Sequence, residues 1–183
     1  MEWLIEIDAE ILIFLQNNVR NAVFTPLIRM ITVLGNGGVF WILASLVLLI
    51  PDKTRKTGIA AIAALLVSLL INNLFLKNLV ARIRPYEVVV GLEALIPKPW
   101  GYSFPSGHTG SSFAAAWVFY RELPKRFGIP ALVLAGAIGF SRLYLGVHYP
   151  TDVCFGVISG IGSGYIALLL IRAVTDRFGK QSV

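Results

Sequence analysis

The sequence predicts an all-α fold: a polytopic membrane helical bundle of about six transmembrane helices, preceded by an amphipathic N-terminal helix. Three observations lead there. Of the 183 residues, 56% are hydrophobic and only 14% are charged, which is too apolar for an ordinary soluble domain. Apolar runs recur along the chain, separated by short polar or basic breaks. The breaks collect Lys and Arg in clusters, the pattern by which membrane proteins orient themselves. This clustering accounts for the net charge of +6 without invoking nucleic acid. No internal repeat is visible, and residues 1–183 read as a single domain.

Residues 3–18 place Trp3, Leu4, Ile7, Ile11 and Phe14/Leu15 at helical spacing, with Glu2, Glu6, Asp8 and Glu10 between them. That pattern predicts an amphipathic helix lying at the interface, not a signal peptide. Residues 21–34, carrying Arg29, form a first apolar run, Gly35-Asn36-Gly37-Gly38 a turn, and 39–50 a second run. Both runs are short for a hydrocarbon layer that takes ~20 helical residues. They read either as a hairpin with extended ends or as one interrupted helix.

A basic loop covers 51–57, and 58–76 is a clear span, although Asn72 and Asn73 near its end are unusual facing lipid. A polar loop at 85–105 contains Pro97, Pro99, Trp100 and Tyr102. The two aromatics read as packing or interface anchors ahead of a lining for a lipid entrance. Spans at 108–120, 129–147 and 151–171 follow, the first two separated by a basic loop. The tail carries Arg172, Arg177 and Lys180. Gly156, Gly160 and Gly164 recur every fourth residue, a face suited to close packing within the chain or against a second copy. The lone cysteine, Cys154, excludes an internal disulfide and a Cys-based zinc site, and reads as a small packing residue.

With the hairpin reading, Lys53, Arg55 and Lys56, then Arg121, Lys125 and Arg126, then the tail, all fall on one side. The positive-inside rule makes that side cytoplasmic, with both termini. Every unusual polar residue then falls on the outer face. Lys77 and Arg84 lie seven apart, two helical turns, and so point to one side, and Pro85 ends the helix. They sit opposite the cytoplasmic basic clusters and are expected to bind an anion. Arg82 reads instead as a snorkelling cation.

Pro105-Ser106-Gly107-His108 precedes an apolar run. Ser106 is a natural N-cap, and the free amides of the first turn, with the helix dipole behind them, suit a phosphate. His108 stands beside that cradle, able to pass a proton. Further on, Ser141-Arg142 is followed by His148 and Asp152, with Pro150 suited to the first position of a helix. Asp152 reads as a carboxylate orienting His148 or as a helix-start acid. His148 reads as a nucleophile or as a boundary histidine. The joint pattern favours chemistry: the only two histidines, three cations, a serine and an aspartate converge on one face of a charge-poor membrane protein.

These three segments, K-x6-R-P (77–85), P-S-G-H (105–108) and S-R-x5-H-x3-D (141–152), resemble the ordered signature motifs of the type-2 phosphatidic acid phosphatase family, relatives of vanadium haloperoxidases. The resemblance implies that His148 attacks phosphorus and forms a phosphohistidine, that Asp152 orients it, and that His108 protonates the leaving oxygen. It implies that Lys77, Arg84, Arg142, Ser106 and the Gly107 amide bind the phosphoryl oxygens. It implies no metal and no cofactor. The expected substrate is a membrane lipid phosphate or diphosphate, undecaprenyl diphosphate first, then phosphatidylglycerophosphate or phosphatidic acid, at the outer face of a bacterial plasma membrane. A phosphotransferase, or a lipid-phosphate binding or transport protein, would use the same pocket.

Overall fold

The computed structural model describes residues 2–179, so Lys180 of the basic tail lies outside the described residues. Among these the chain is helical throughout, without strands: α1 (Glu2–Phe14, continued by a π-helical turn at Leu15–Val19), α2 (Phe24–Leu34), α3 (Val39–Leu49), α4 (Asp52–Ser68, continued by a π-helical stretch at Leu69–Leu76), α5 (Lys77–Val80), α6 (Pro85–Val88), α7 (Gly107–Glu122), α8 (Lys125–Tyr144) and α9 (Pro150–Gly179).

The centre of the bundle is α7. Ala114, Ala115, Ala116 and Val118 are wholly buried there, against Ala60, Ala61 and Ala64 of α4, Ala135 and Ile138 of α8 and Ala167 of α9. Side chains this small let helix backbones approach closely, which is how helices gain dispersion energy where lipid is as apolar as the side chains. The glycine face of α9 is used the same way. A Cβ at Gly160 would stand 2.5 Å from the Gly110 carbonyl oxygen, and one at Gly164 2.8 Å from that of Ala114. That face therefore packs against α7. Cys154, expected as a packing residue, instead points out of the bundle.

Three stretches are long and apolar enough to cross a membrane alone: Asp52–Val88, Lys125–Tyr144 and Pro150–Arg177. Helices α2 and α3 meet in a 45° bend, at a tight turn where Gly37 and Gly38 have φ of 57° and 68°. A hairpin would reverse direction, so the interrupted helix is the reading that holds. Helix length thus does not reproduce the expected count of six: α7, with 16 residues, is short of a span by itself.

On α1, Asp8, Leu12 and Leu15 turn inward, while the apolar stripe of Trp3, Ile7, Ile11 and Phe14 faces out. Its inward face meets the first turn of α9 through Asp8 and Thr151. Helix α1 therefore packs at the end of the bundle that carries the three motifs. The basic segments 51–57 and 121–126 and Arg172 sit at the opposite end, where Arg172 reaches Glu122 at 3.2 Å.

Candidate active site

The first motif is delivered by broken helix, not by helical periodicity. The π-helical stretch Leu69–Leu76 widens the turn just before Lys77, and α5 stops at Val80 because Ala81 adopts a left-handed φ of 48°. That conformation costs an alanine on the order of 1 kcal/mol. From there the chain runs extended through Arg84 to Pro85, the first residue of α6. Lys77 and Arg84 do reach one cavity, but the two-turn argument for it is corrected: the helix ends at Val80, and Arg84 lies in the non-helical segment beyond it. The buried Arg84 donates from Nε to the Gly101 carbonyl (2.8 Å) and from Nη1 to that of Val147 (2.9 Å). Its guanidinium is thereby held at one orientation.

The second motif opens α7. Ser106 caps the helix as expected, accepting from the Thr109 amide, and its own amide donates to the Asp152 carbonyl at 3.1 Å. This ties the start of α7 to the start of α9. Gly107 leaves room for Asn73: a Cβ there would sit 2.9 Å from the Asn73 Oδ1. His108 Nε2 lies 2.9 Å from Asn36 Oδ1. An amide oxygen only accepts, so His108 carries its proton on Nε2.

The third motif supplies Arg142, His148 and Asp152. Arg142 is buried at the end of α8 and donates from Nη1 to Thr32 Oγ1 at 2.6 Å. Its Nε is buried without a partner among the described residues. An orphaned charged donor costs more than an ordinary unmade hydrogen bond, which points to an anion as the missing partner. His148 lies in the turn between α8 and α9, 2% exposed, with Nε2 3.3 Å from Arg84 Nη1. A guanidinium cannot accept, so Nε2 presents its lone pair and the proton of the neutral ring sits on Nδ1. Nδ1 faces Asp152 Oδ2 at 3.4 Å, a loose contact. Burial pushes the His148 pKa down to about 4; Arg142 and Arg84 push the same way, and Asp152 opposes them.

Asp152 is wholly buried in the first turn of α9. Besides facing His148, it accepts from the Tyr149 amide (2.9 Å), from the Ser103 hydroxyl and from Arg82 Nη1 (2.8 Å). The reading of Arg82 as a snorkelling cation is therefore corrected: it faces inward, 20% exposed, between two carboxylates. Ser103, Thr32 and Asn36 were also not singled out. Asn36 had a readable signal, an amide between glycines inside an apolar segment; the other two are single hydroxyls without a distinguishing pattern.

Lys77, Arg84, Gly107, His108, Arg142 and His148 line one cavity of about 510 Å³. Ser106 and Asp152 stand behind its wall, both fully buried. The cavity runs on between α3 and α4 past Ile42, Leu46, Leu65 and Leu69, and Trp100, 98% exposed, sits at its rim. On the other side of His108 and Arg142 lies a second cavity of about 740 Å³, under the loop at 94–99 and beside Arg29. A cationic pocket lined by two imidazoles, with an apolar groove leading out, can take a phosphate on a hydrocarbon chain.

Known proteins share both the sequence and the fold. The undecaprenyl-diphosphatase of Sulfolobus acidocaldarius is 32% identical over 128 residues, 70% of this chain and 62% of that one, so the chain spans about three fifths of that relative's length. LpxE of Aquifex aeolicus superposes with a TM-score of 0.77 at 29% identity, over 91% of this chain and 94% of its own. The PAP2 type phosphatidylglycerolphosphate phosphatase of Bacillus subtilis gives 0.75 at 25%, over 97% and 88%. The PAP2 superfamily matches residues 57–176, a range that takes in all three motifs and the helices that bring them to one cavity. The chain belongs to the PAP2 superfamily.

Proposed function

We propose that the chain is an integral-membrane lipid phosphatase working through a phosphohistidine. The observation that carries this is the His148 ring in the wall of a cavity that Lys77, Arg84 and Arg142 also line, with its Nε2 unprotonated beside Arg84 and its Nδ1 facing Asp152. Nε2 attacks phosphorus, the bond to the lipid oxygen breaks, and His108, an imidazolium once the phosphate anion is bound beside it, gives that oxygen a proton and is left neutral. Water then attacks the phosphohistidine, His108 takes the proton back, and the P–N bond breaks to release phosphate. Lys77, Arg84 and Arg142, with the Gly107 amide, hold the equatorial oxygens, and Ser106, behind the wall, caps the helix that presents that amide. These cations take the place of a metal: their charge repels a divalent ion and neutralises the same oxygens.

The substrate is a lipid phosphate or diphosphate. The apolar groove between α3 and α4 suits a hydrocarbon tail, and relatives are named for undecaprenyl diphosphate and phosphatidylglycerolphosphate. Undecaprenyl diphosphate stands first because the second cavity, reached past His108 and Arg142 and bordered by Arg29, has room for a second phosphoryl group.

We place the site on the outer face, with the basic segments at the other end of the bundle inside. Counting the bent α2–α3 pair once gives five crossings: that pair, α4 with its continuation, α7, α8 and α9. Helix α1 then lies on the outer interface with its apolar stripe in lipid, and the C-terminus is cytoplasmic. In a Cys154→Ser background, an impermeant thiol reagent on intact cells should label Glu6→Cys and Glu93→Cys but not Thr54→Cys. A labelled Thr54→Cys refutes the orientation, and an unlabelled Glu6→Cys restores an even number of crossings.

The activity is tested by phosphate release from undecaprenyl diphosphate, phosphatidylglycerophosphate, phosphatidic acid and a soluble ester, by purified protein beside His148→Ala. Release that depends on His148 establishes the enzyme, and the ranking of rates identifies the substrate. No release from any of them refutes hydrolysis.

A further inference from the structure

Among the described side chains of α1, Asp8 is the one buried carboxylate, 1% exposed, and nothing in the chemistry above uses it. It accepts from Arg82 Nη2 at 2.8 Å, from the Thr151 amide at 3.0 Å and from the Thr151 hydroxyl. Arg82 continues the chain of contacts. Its Nη1 donates to Asp152 Oδ1 at 2.8 Å and to Thr151 Oγ1 at 2.7 Å, and its guanidinium carbon lies over the Tyr149 ring, 3.7 Å from the centroid. Each carboxylate takes a different nitrogen of one planar fork, so the angle between Asp8 and Asp152 is set by the guanidinium. Leu12 packs beside it against Tyr149 and Leu92, which holds α1 in place independently of the charges.

We propose that Arg82, anchored by Asp8 and Thr151, is a positioning residue for the reacting histidine: it fixes the Asp152 carboxylate and offsets part of its charge, so that the carboxylate orients His148 without making it too basic to stay unprotonated. The inference rests on the reading of His148 as the attacking base. The physical reason is one of balance. A buried carboxylate with no counter-charge would hold a proton on the neighbouring imidazole and block its lone pair. His148 is faced by Asp152 from α9, by Arg84 from the segment before α6 and by Arg142 from α8, with Lys77 and His108 across the cavity. Asp152 is faced by His148, Ser103 and Arg82. Among these, Arg82 alone touches Asp152 with a positive charge without lining the cavity, so it tunes the pair while leaving the substrate untouched.

The test measures Arg82→Gln, Arg82→Lys and Asp8→Asn beside wild type and His148→Ala, by steady-state phosphate release and by ¹⁵N NMR titration of the histidine rings. Arg82→Gln is expected to lower kcat by about 30-fold with KM within about twofold. It is also expected to move the His148 titration, and the acid limb of the rate, up by about one pH unit, because the carboxylate charge is no longer offset. Arg82→Lys restores the charge and should return the titration to wild type while recovering only part of kcat, since an ammonium cannot bridge two carboxylates as the fork does. Asp8→Asn should lower kcat without an upward shift, because it frees Arg82 to offset Asp152 fully. A role limited to docking α1 predicts a lower melting temperature and a rate reduced equally at every pH; that result overturns the proposal. If Arg82→Gln does not fold, an upward shift in Asp8→Asn or in Arg82→Lys overturns it instead. Absence of His148-dependent release in the wild type refutes the hydrolase reading, which the variants do not address.

Discussion

A buried histidine with two guanidinium groups nearby should stay unprotonated well into acid, and His148 allows this to be measured directly. The perturbation is pH. An ordinary imidazole, with a pKa of about 6.5, is roughly nine-tenths protonated at pH 5.5. His148, pushed down to about 4 by burial and by Arg142 and Arg84, is still about 97% neutral there. The difference corresponds to roughly 3 kcal/mol of preference for the neutral ring. The sign for stability follows. The unfolded chain takes the proton near 6.5 and the folded chain only near 4, so stability present above pH 6.5 declines below it and is lost as pH falls through 4. Phosphate esters titrate near pH 6 themselves, so rates alone would confuse enzyme with substrate. The assay is therefore ¹⁵N NMR of histidine-labelled protein in detergent. The chain has only two histidines, and a His108→Gln sample assigns them. His148 should show the neutral pattern at pH 5.5, with the proton on Nδ1. A midpoint at or above 6.5 would mean that Asp152 outweighs burial and both cations, and would refute the account of the lone pair.

Other expectations follow from the same contacts. Asp152→Asn keeps an oxygen for the Tyr149 amide and Ser103 but loses the charge facing Nδ1, so kcat should fall roughly 10³-fold, about 4 kcal/mol in the barrier, with the fold intact by circular dichroism. Incubation with EDTA should leave phosphate release unchanged in a continuous assay, because the cavity neutralises phosphate with Lys77, Arg84 and Arg142; a large loss restored by one divalent metal would show that the cations do not suffice. Gly160→Val should lower stability by roughly 3 kcal/mol in thermal unfolding, since its Cβ would meet the Gly110 carbonyl oxygen at 2.5 Å, whereas Gly162→Ala, with open space around it, should unfold as the wild type does.

Legibility followed the type of signal. Hydropathy revealed the helical runs, because apolar composition is a property of each segment alone, and the three motifs revealed Lys77, Arg84, Gly107, His108, Arg142 and His148, which do line one cavity. What failed were inferences that treated local regularity as rigid. Two helical turns from Lys77 to Arg84 assumed a helix that Ala81 ends with a φ of 48°, and of the two readings open for 21–50 the hairpin, on which the even-span topology rested, gives way to a 45° bend. A left-handed alanine has no signature in sequence, since its cost is met by contacts far along the chain: the Arg82 carbonyl bonds to Ser103, and Arg84 to Gly101 and Val147. Arg82 failed for a related reason. A basic residue at the end of an apolar run is usually a snorkelling cation, and its sign and position fit that reading. What made the reading wrong is Asp8, 74 residues earlier, on a helix whose apolar stripe turns outward so that its acid turns in. The informative feature was thus the acid and not the arginine. A carboxylate placed in the apolar stretch that opens a membrane protein is costly unless a cation is waiting for it. Every other acid of that helix is solvent-accessible at the described positions, so a search for the partner of Asp8 is the one step in sequence that leads to Arg82.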